Sequence, residues 1–535
     1  MGQRTEFRRF EVGVPLRHAS VAVLLAMALG LGACRTGTDD IQRWGTTVQG
    51  PRKLIAVLTH DKYSDEIRLE AALTLVSMKP RNGRRVGIEG SDDQPGLMGA
   101  LSQLPPSARA GLVSKLVPAL EAEIKKPPPV VQGGQAAADP TVPYKDAAFA
   151  LLTHDGGRLV SDSNLRQRLR TALSSWVSTN FAQRLEDSSQ MFSVKQVVTE
   201  LKADAVRTLP NLITPGAPKI EALSDFVADF GDPATKLAAS QRLVAVAAHT
   251  ASQEWINQKS PGVEAANKAS KLNPTKEQFQ AQLAQYQEEE LLRVFTSMKR
   301  VGGAPVTEFL LKFAQDKTQS DKRRAGALAA LQGNLDRTNR AQASSVLAVA
   351  GADDTPDMVR DVALQRVGEF PRAVVVEDLY KLFGSGNWKV RWVAAELILK
   401  MSDTSHLPEF FDKIGKAKDM AITEPLRYGS IISEMKGSTK PEDAVRSQLG
   451  SSEPVPARLT ALGYYYAKGT GKDLGTISNY ASDRTKTPTC KEGAQDCEWK
   501  CNVSADGKQE TKDITTLGEF VEFCVKPAME KRGAK

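Results

Sequence analysis

The sequence predicts an all-α fold, a right-handed solenoid of stacked helix pairs with loop insertions and a small disulfide-containing C-terminal tail, and three observations predict it. Pro305, Pro371, Pro408 and Pro441 each stand just ahead of an amphipathic stretch, at separations of 66, 37 and 33 residues, the first being two repeats. Proline is tolerated in the first turn of a helix, where its missing N–H has no intrahelical acceptor, so these residues mark the start of each pair's first helix. A second marker runs beside them. Basic residues followed by alanines open the second helix at Arg323-Arg324-Ala325, Val359-Arg360 and Val390-Arg391, and more weakly at Leu426-Arg427 and Ala457-Arg458. With Arg323 as the first, the arginines lie 37, 31, 36 and 31 residues apart, a period typical of stacked supersecondary units. Third, Val390, Ala394, Leu397, Ile398 and Met401 keep helical phase, as do Val359, Val362, Ala363, Val367 and Phe370.

Composition agrees with this pattern. The 535 residues exceed what one hydrophobic core supports, while 41% hydrophobic and 25% charged residues are ordinary for a folded chain. The net charge of +8 is spread over 71 basic and 63 acidic residues, without the one-sided clustering of a nucleic-acid footprint. No nucleic-acid partner is expected.

Residues 1–34 read as an address. Arg4, Arg8, Arg9 and Arg17 form a positive region, Ala19 to Gly30 an apolar run too short to serve comfortably as a permanent span, and Leu31-Gly32-Ala33-Cys34 follows. Those four residues resemble the bacterial lipobox. The resemblance implies cleavage before Cys34 and its acylation, with several acyl chains each contributing about 0.8 kcal/mol per buried methylene. A plain secretory signal or a single membrane anchor, with an incidental cysteine, is the alternative. Arg35 replaces the aspartate that holds many such lipoproteins at the inner membrane, so the resemblance implies an outer-membrane anchor facing the periplasm.

Upstream copies of the pair are looser. Pro51 to Met78 holds one, with Leu54, Val57 and Leu58 followed by Ile67-Arg68, Ala71 and Leu75, and Pro218 to Ala247 another, with Leu237 and Leu243 on its second helix. Asn273-Pro274 is expected to start a long helix to about Arg300, with Asn as cap. Pro80 to Pro95 and Lys125 to Pro143 read as flexible loops. The expected divisions are 1–34 signal and lipobox, 35–260 divergent repeats, 261–303 helical insertion, 304–480 regular repeats and 481–535 cap.

The proline-led helix, acidic or glycine-containing turn and Val-Arg-alanine helix resemble the HEAT family and its PBS-lyase-like relatives, most clearly from Pro305 to Tyr466. Asp353-Asp354 before Arg360, and Gly384 to Asn387 before Arg391, carry the pattern best. The resemblance implies that Asp354, Arg360 and Arg391 belong to a hydrogen-bonded ladder between neighbouring repeats.

Four of the five cysteines, Cys490, Cys497, Cys501 and Cys524, lie in the tail. An even count in an exported chain predicts two disulfides, with all three pairings open. The gaps match no common zinc knuckle, and no metal ligand set is expected. The expected job is to staple a cap over the solenoid's last apolar face, the alternative being a docking knob.

No HExxH, GxSxG, Rossmann or Walker pattern occurs; Gly469-Thr470-Gly471-Lys472 is followed by Asp473 where a phosphate loop needs Ser or Thr. His60, His154, His249 and His406 are scattered among repeats. No catalytic residue or cofactor is expected. The expectation is a non-catalytic, membrane-anchored scaffold of the cell envelope that holds a protein partner. HEAT-like lyase chemistry or small-ligand binding is the rival reading.

Overall fold

The computed structural model describes residues 36–533 apart from 82, 128–138, 353, 489–497 and 506–507. The chain forms two compact units, Met1–Leu209 and Pro210–Lys535, and each is an all-α stack.

In the first unit the principal helices are α1 (Thr38–Gly45), α2 (Gly50–Thr59), α3 (Asp65–Ser77), α4 (Leu97–Gln103), α5 (Pro106–Ile124), α6 (Val142–Thr153), α7 (Ser163–Arg184) and α8 (Val194–Leu201). Contacts run from neighbour to neighbour: α2 packs on α3, α3 on α5 and α6, α5 on α7, and α7 on α8. Leu54, Val57 and Leu58 of α2 and Ala71, Ala72 and Leu75 of α3 are all buried, as their helical spacing requires. The segment Pro80 to Pro95, expected as a loop, contains a helical turn, Val86–Glu89, and a two-residue antiparallel ladder between Gly90–Ser91 and Gln94–Pro95. Ile88 is fully buried and Val86 half-buried, which anchors the segment to the core.

The second unit begins with α9 (Ile220–Phe230), α10 (Pro233–Thr250), α11 (Gln253–Ala269) and α12 (Lys276–Val301). It continues as α13 (Ala304–Gln315), α14 (Asp321–Ala330), α15 (Arg340–Gly351), α16 (Asp357–Val367), α17 (Arg372–Lys381), α18 (Trp388–Lys400), α19 (Leu407–Ile414), α20 (Thr423–Glu434), α21 (Pro441–Ser447) and α22 (Val455–Lys468). Pairs such as α13 with α14, α15 with α16 and α17 with α18 pack internally, and alternate helices stack: α13 on α15, α15 on α17, α12 on α14, α14 on α16, α18 on α20 and α20 on α22. This next-but-one contact pattern is that of a HEAT-like solenoid, where each pair hides its apolar face only by lying on the next.

The proline markers fall where expected. Pro305 and Pro408 lie in the first turns of α13 and α19, Pro441 opens α21, and Pro371 is the residue before α17. The expected start at Asn273-Pro274 shifts to Lys276, because Thr275 and Gln278 form a reciprocal capping box. The expected division at 260/261 falls inside α11, whereas the compact units divide between 209 and 210. Leu237, expected on the apolar stripe of α10, is instead 49% exposed.

Helices α20 and α22 cross in close contact. A Cβ on Gly429 would lie 2.0 Å from the carbonyl carbon of Gly463, and one on Gly463 equally close to the Pro425 carbonyl oxygen, so the two backbones touch where neither residue has a side chain. The tail then adds an antiparallel hairpin, β1 (Lys500–Ala505) with β2 (Lys508–Asp513), followed by α23 (Leu517–Phe520) and α24 (Lys526–Gly533). The strands were not expected. Leu517, Phe520, Val521, Val525 and Met529 are buried, and α24 packs on α22, covering the last helix of the stack.

Candidate functional site

Three of the helix pairs are tied from inside by one device. Arg68, Arg324 and Arg360, each at the start of a second helix and each buried, donate from Nε to the carbonyl ten residues earlier, on Leu58, Ala314 and Ala350, at 2.9, 2.9 and 3.2 Å. Those carbonyls lie in the last turn of the first helix, which has no N–H of its own to offer them. Arg324, not Arg323, is therefore the equivalent of Arg360. Arg323 turns aside to Gln287 at 2.7 Å, and Arg427, exposed, pairs with Glu396 at 2.8 Å. The reason is helical phase: Arg324, Leu328 and Leu331 share the buried stripe, and Arg323 is one position off it.

Of the expected ladder residues, Asp354 reaches back to Lys317 at 2.5 Å, so it links its turn to the preceding pair. Arg360 also bonds the Ala352 carbonyl and the Asp357 carboxylate, both at 3.0 Å, within its own pair. Arg391 reaches forward. Its Nε and Nη2 grip Glu424 at 3.2 and 2.9 Å while Nη1 donates to the Ser385 carbonyl at 2.6 Å. Glu424 further accepts from the Ala421 N–H at 2.6 Å and the Tyr428 hydroxyl at 3.0 Å. Burial pushes both the Glu424 carboxyl and the Tyr428 hydroxyl up, with Arg391 opposing the shift at each. Asn387, where the ladder lacks its aspartate, caps its own helix through the Lys389 N–H at 3.0 Å.

Outside this core, second helices are joined across the surface. Lys322 pairs with Glu288 at 2.7 Å, Lys389 with Asp357 at 3.2 Å, and Arg427 with Glu396 at 2.8 Å, each between one second helix and the one before it. Exposed pairs of this kind contribute about 0–1 kcal/mol each, so they set surface charge more than stability. The result is a face of mixed, locally balanced charge.

The first unit holds a buried charge cluster that the sequence reading missed. Lys145 and Asp146, both fully buried at the start of α6, lie 2.6 Å apart. Asp146 also accepts the N–H groups of Met191 and Phe192, at 3.1 and 3.2 Å, and meets Arg85 Nε at 2.9 Å. Lys145 donates to Gln190 at 3.0 Å and to the Phe192 carbonyl, and stands 5.0 Å from the centre of the Trp176 ring. Burial pulls the Lys145 ammonium down, against the opposing pull of Asp146. Together these groups pin residues 185–193 onto α6. The signal was present as a Lys-Asp pair heading an otherwise apolar run, Ala147 to Leu152.

Cys501 and Cys524 form a disulfide with Cα atoms 5.8 Å apart, joining β1 to the segment after α23. Trp499, just before β1, donates to the Met420 carbonyl at 2.9 Å and meets Phe520 edge-on at 5.6 Å, fixing the tail to the stack. Cys34, Cys490 and Cys497 lie outside the described residues, as does Asp353. His60, His154, His249 and His406 sit at helix ends: His60 and His154 follow α2 and α6, His249 lies in the last turn of α10, and His406 precedes α19. Gly471–Asp473 is a single turn in which Asp473 accepts the Thr470 N–H at 2.9 Å.

Among the described residues no group of three or more His, Cys, Asp or Glu could hold a metal, and no helix is long and apolar enough to cross a membrane. Open cavities occur among the described residues. One of about 680 Å³ lies among Glu70, Thr74, Arg81, Glu123 and Tyr144; two others, of about 400 and 430 Å³, flank α12, the first between Trp255, Val263 and Tyr286 and the second between Glu221, Thr296 and Arg300.

No protein-family model matches the chain, and no curated protein matches it. Among solved structures it is similar to Kap121p and two of its mutants, at 14–15% identity and TM-scores of 0.26–0.29, covering 86% of this chain and 44–46% of those chains. The chain thus spans less than half the length of the structures it matches.

Proposed function

We propose that the chain is a non-catalytic scaffold of the bacterial cell envelope, fastened to a membrane through an acylated Cys34 and holding a protein partner on its helix-pair surface. The observation that carries the binding role is the row of second helices. Their apolar stripes and buried arginines are used up inside the stack, while their outer face is left as a continuous array of side chains carried on rigid helices. Such surfaces spread affinity over many contacts and suit extended or multi-point protein partners. The anchor rests on the residue order of the first 34 positions, and the outer-membrane, periplasm-facing placement on Arg35. The Cys501–Cys524 disulfide accords with an oxidising compartment.

The test is crosslinking in intact cells with the full chain and with Cys34→Ala, followed by identification of captured proteins. The expected result is a defined partner captured by the native chain, and loss of membrane association in the variant. Capture of nothing above background would overturn the scaffold reading, and unchanged membrane association of Cys34→Ala would overturn the anchor.

A further inference from the structure

Helix α11 is thinly packed. Of its 17 residues only Trp255 and Asn267 are buried, so it rests on α12 near its two ends. At one end Gln287 of α12 donates to the Thr250 and Ser252 carbonyls at 2.8 and 3.0 Å; near the other, the side-chain amides of Asn267 and Gln282 bond at 2.9 Å. Between them Pro261 interrupts the hydrogen-bond ladder of α11. The cavity of about 400 Å³ opens along this stretch, lined by Trp255, Lys259 and Val263 from α11 and by Tyr286, Glu289, Glu290 and Arg293 from α12.

Its chemistry is specific. Tyr286 is 44% exposed, a large aromatic residue left unburied one helical turn before Glu289. Glu290 is engaged by Arg293 at 3.0 Å, whereas Glu289 accepts from a neutral amide, Gln285 at 2.8 Å; among the described residues no cation stands within ion-pair distance of it, and Lys322, paired with Glu288, acts on it from farther away. On the opposite wall the chain already seats a cation against an aromatic ring, Lys259 Nζ lying 5.7 Å from the Trp255 ring centre. An aromatic face beside an unpaired carboxylate recognises a guanidinium or ammonium group: the ring attracts the charge through its quadrupole, and the carboxylate accepts its N–H bonds.

We propose that this cleft docks an arginine- or lysine-bearing segment of a protein partner, with the basic side chain between Tyr286 and Glu289 and a neighbouring aliphatic residue against Val263. The proposal deepens the scaffold reading and rests on it. Lys259 competes for the same cleft, so it limits affinity rather than supplying it.

The experiment uses the full chain and two fluorescein-labelled nonapeptides, one alternating arginine with valine and one alternating glutamate with valine, with binding followed by anisotropy. The arginine peptide should saturate in the range of about 10–100 µM and the glutamate peptide should not bind. Tyr286→Ala and Glu289→Gln should each weaken the arginine peptide by about three- to tenfold, and Lys259→Ala should strengthen it. All three positions are exposed, and an unchanged circular dichroism spectrum verifies folding. The proposal is overturned by absence of saturation up to about 1 mM, by equal binding of the glutamate peptide, or by unchanged affinity in the Tyr286→Ala, Glu289→Gln double variant. If partners are still captured in cells while these results are negative, the cleft assignment fails and the scaffold reading stands.

Discussion

Two buried carboxylates, Asp146 in the first unit and Glu424 in the second, do different work. Glu424 joins one helix pair to the next: it faces a single cation, Arg391, and its remaining acceptor capacity goes to one backbone N–H and one hydroxyl. Asp146 instead fastens a loop, facing two cations, Lys145 and Arg85, and two N–H groups of residues 191 and 192. In the regular stack a buried ion pair supplements apolar contact between helices. In the first unit it supplements one aromatic contact, Phe192 on Phe149 of α6 with ring centres 4.7 Å apart, because residues 185–193 otherwise bring mostly backbone and polar side chains to the surface they cover. Buried pairs of either kind are costly to desolvate, so their measurable effect is largest when one partner is removed.

The comparison makes its strongest prediction at Asp146. Asp146→Asn leaves two buried cations facing a neutral amide and should destabilise the first unit by about 3–5 kcal/mol, read as a shift of the first unit's transition in urea. The double substitution Lys145→Met, Asp146→Leu, which removes the central pair, should be milder than Asp146→Asn alone. Equal losses in both would show that the loop's hydrogen bonds, not the stranded charges, carry the effect. Glu424→Gln comes next, at about 2–3 kcal/mol, since one cation is stranded and the glutamine can still accept from Ala421. If Glu424→Gln cost more than Asp146→Asn, the contrast between a joint with one cation and a latch with two would be lost.

A smaller effect separates the two arginines that open α14. Arg324→Ala removes the donor to the Ala314 carbonyl inside the stack and should cost about 1–2 kcal/mol in denaturant, with Lys a poor substitute because the bond needs a guanidinium Nε. Arg323→Ala, only half-buried and bonded to one amide, should cost about 0.5 kcal/mol or less. The reverse order would restore the register in which Arg323 is the repeat's arginine.

That register shows what was readable. Prolines 305, 408 and 441 could be placed in first turns because the physics of the missing N–H is local to the residue. Choosing between Arg323 and Arg324 needed the phase of Leu328 and Leu331, which the sequence contains but a spacing count ignores. The tail hairpin gave no strand signal: β1 and β2 are mostly polar, and what holds them is a disulfide and the distant Trp499 contact. Lys145 and Asp146 left only a faint signal, for a related reason. Adjacent charges near a helix start read as solvated until the folded chain brings residues 185–193 over them. One repeated signal was overlooked. Asp-x-Ser/Thr recurs at Asp139, Asp187, Asp316, Asp336, Asp403 and Asp483, and in each the carboxylate accepts the N–H two residues on, at 2.8–3.0 Å, closing the turn between elements.

These turns supply the smallest expected effect and the one that separates surface from core. The hydroxyl and N–H of Thr318, Thr338 and Ser405 hold the carboxyls of Asp316, Asp336 and Asp403 below their ordinary value of 3.8. A carboxyl whose pKa is depressed in the folded state stabilises the fold above the unfolded value; as pH falls below 3.8 the unfolded chain takes up protons that the folded turns still refuse, and the contribution is gone once pH passes below the folded values. Burial pushes Glu424 the opposite way, so its linkage favours the folded state at low pH and cannot mimic this loss. The urea midpoint of the second unit should therefore fall as pH drops from about 5 through 3.8 and below, and the triple substitution of Asp316, Asp336 and Asp403 by Asn should flatten that fall by lowering the midpoint near pH 5 toward its acid value, because Asn closes the turn without the charge. An undiminished slope in the triple variant would move the acid sensitivity away from the turns and onto the ion pairs that stitch the second helices together.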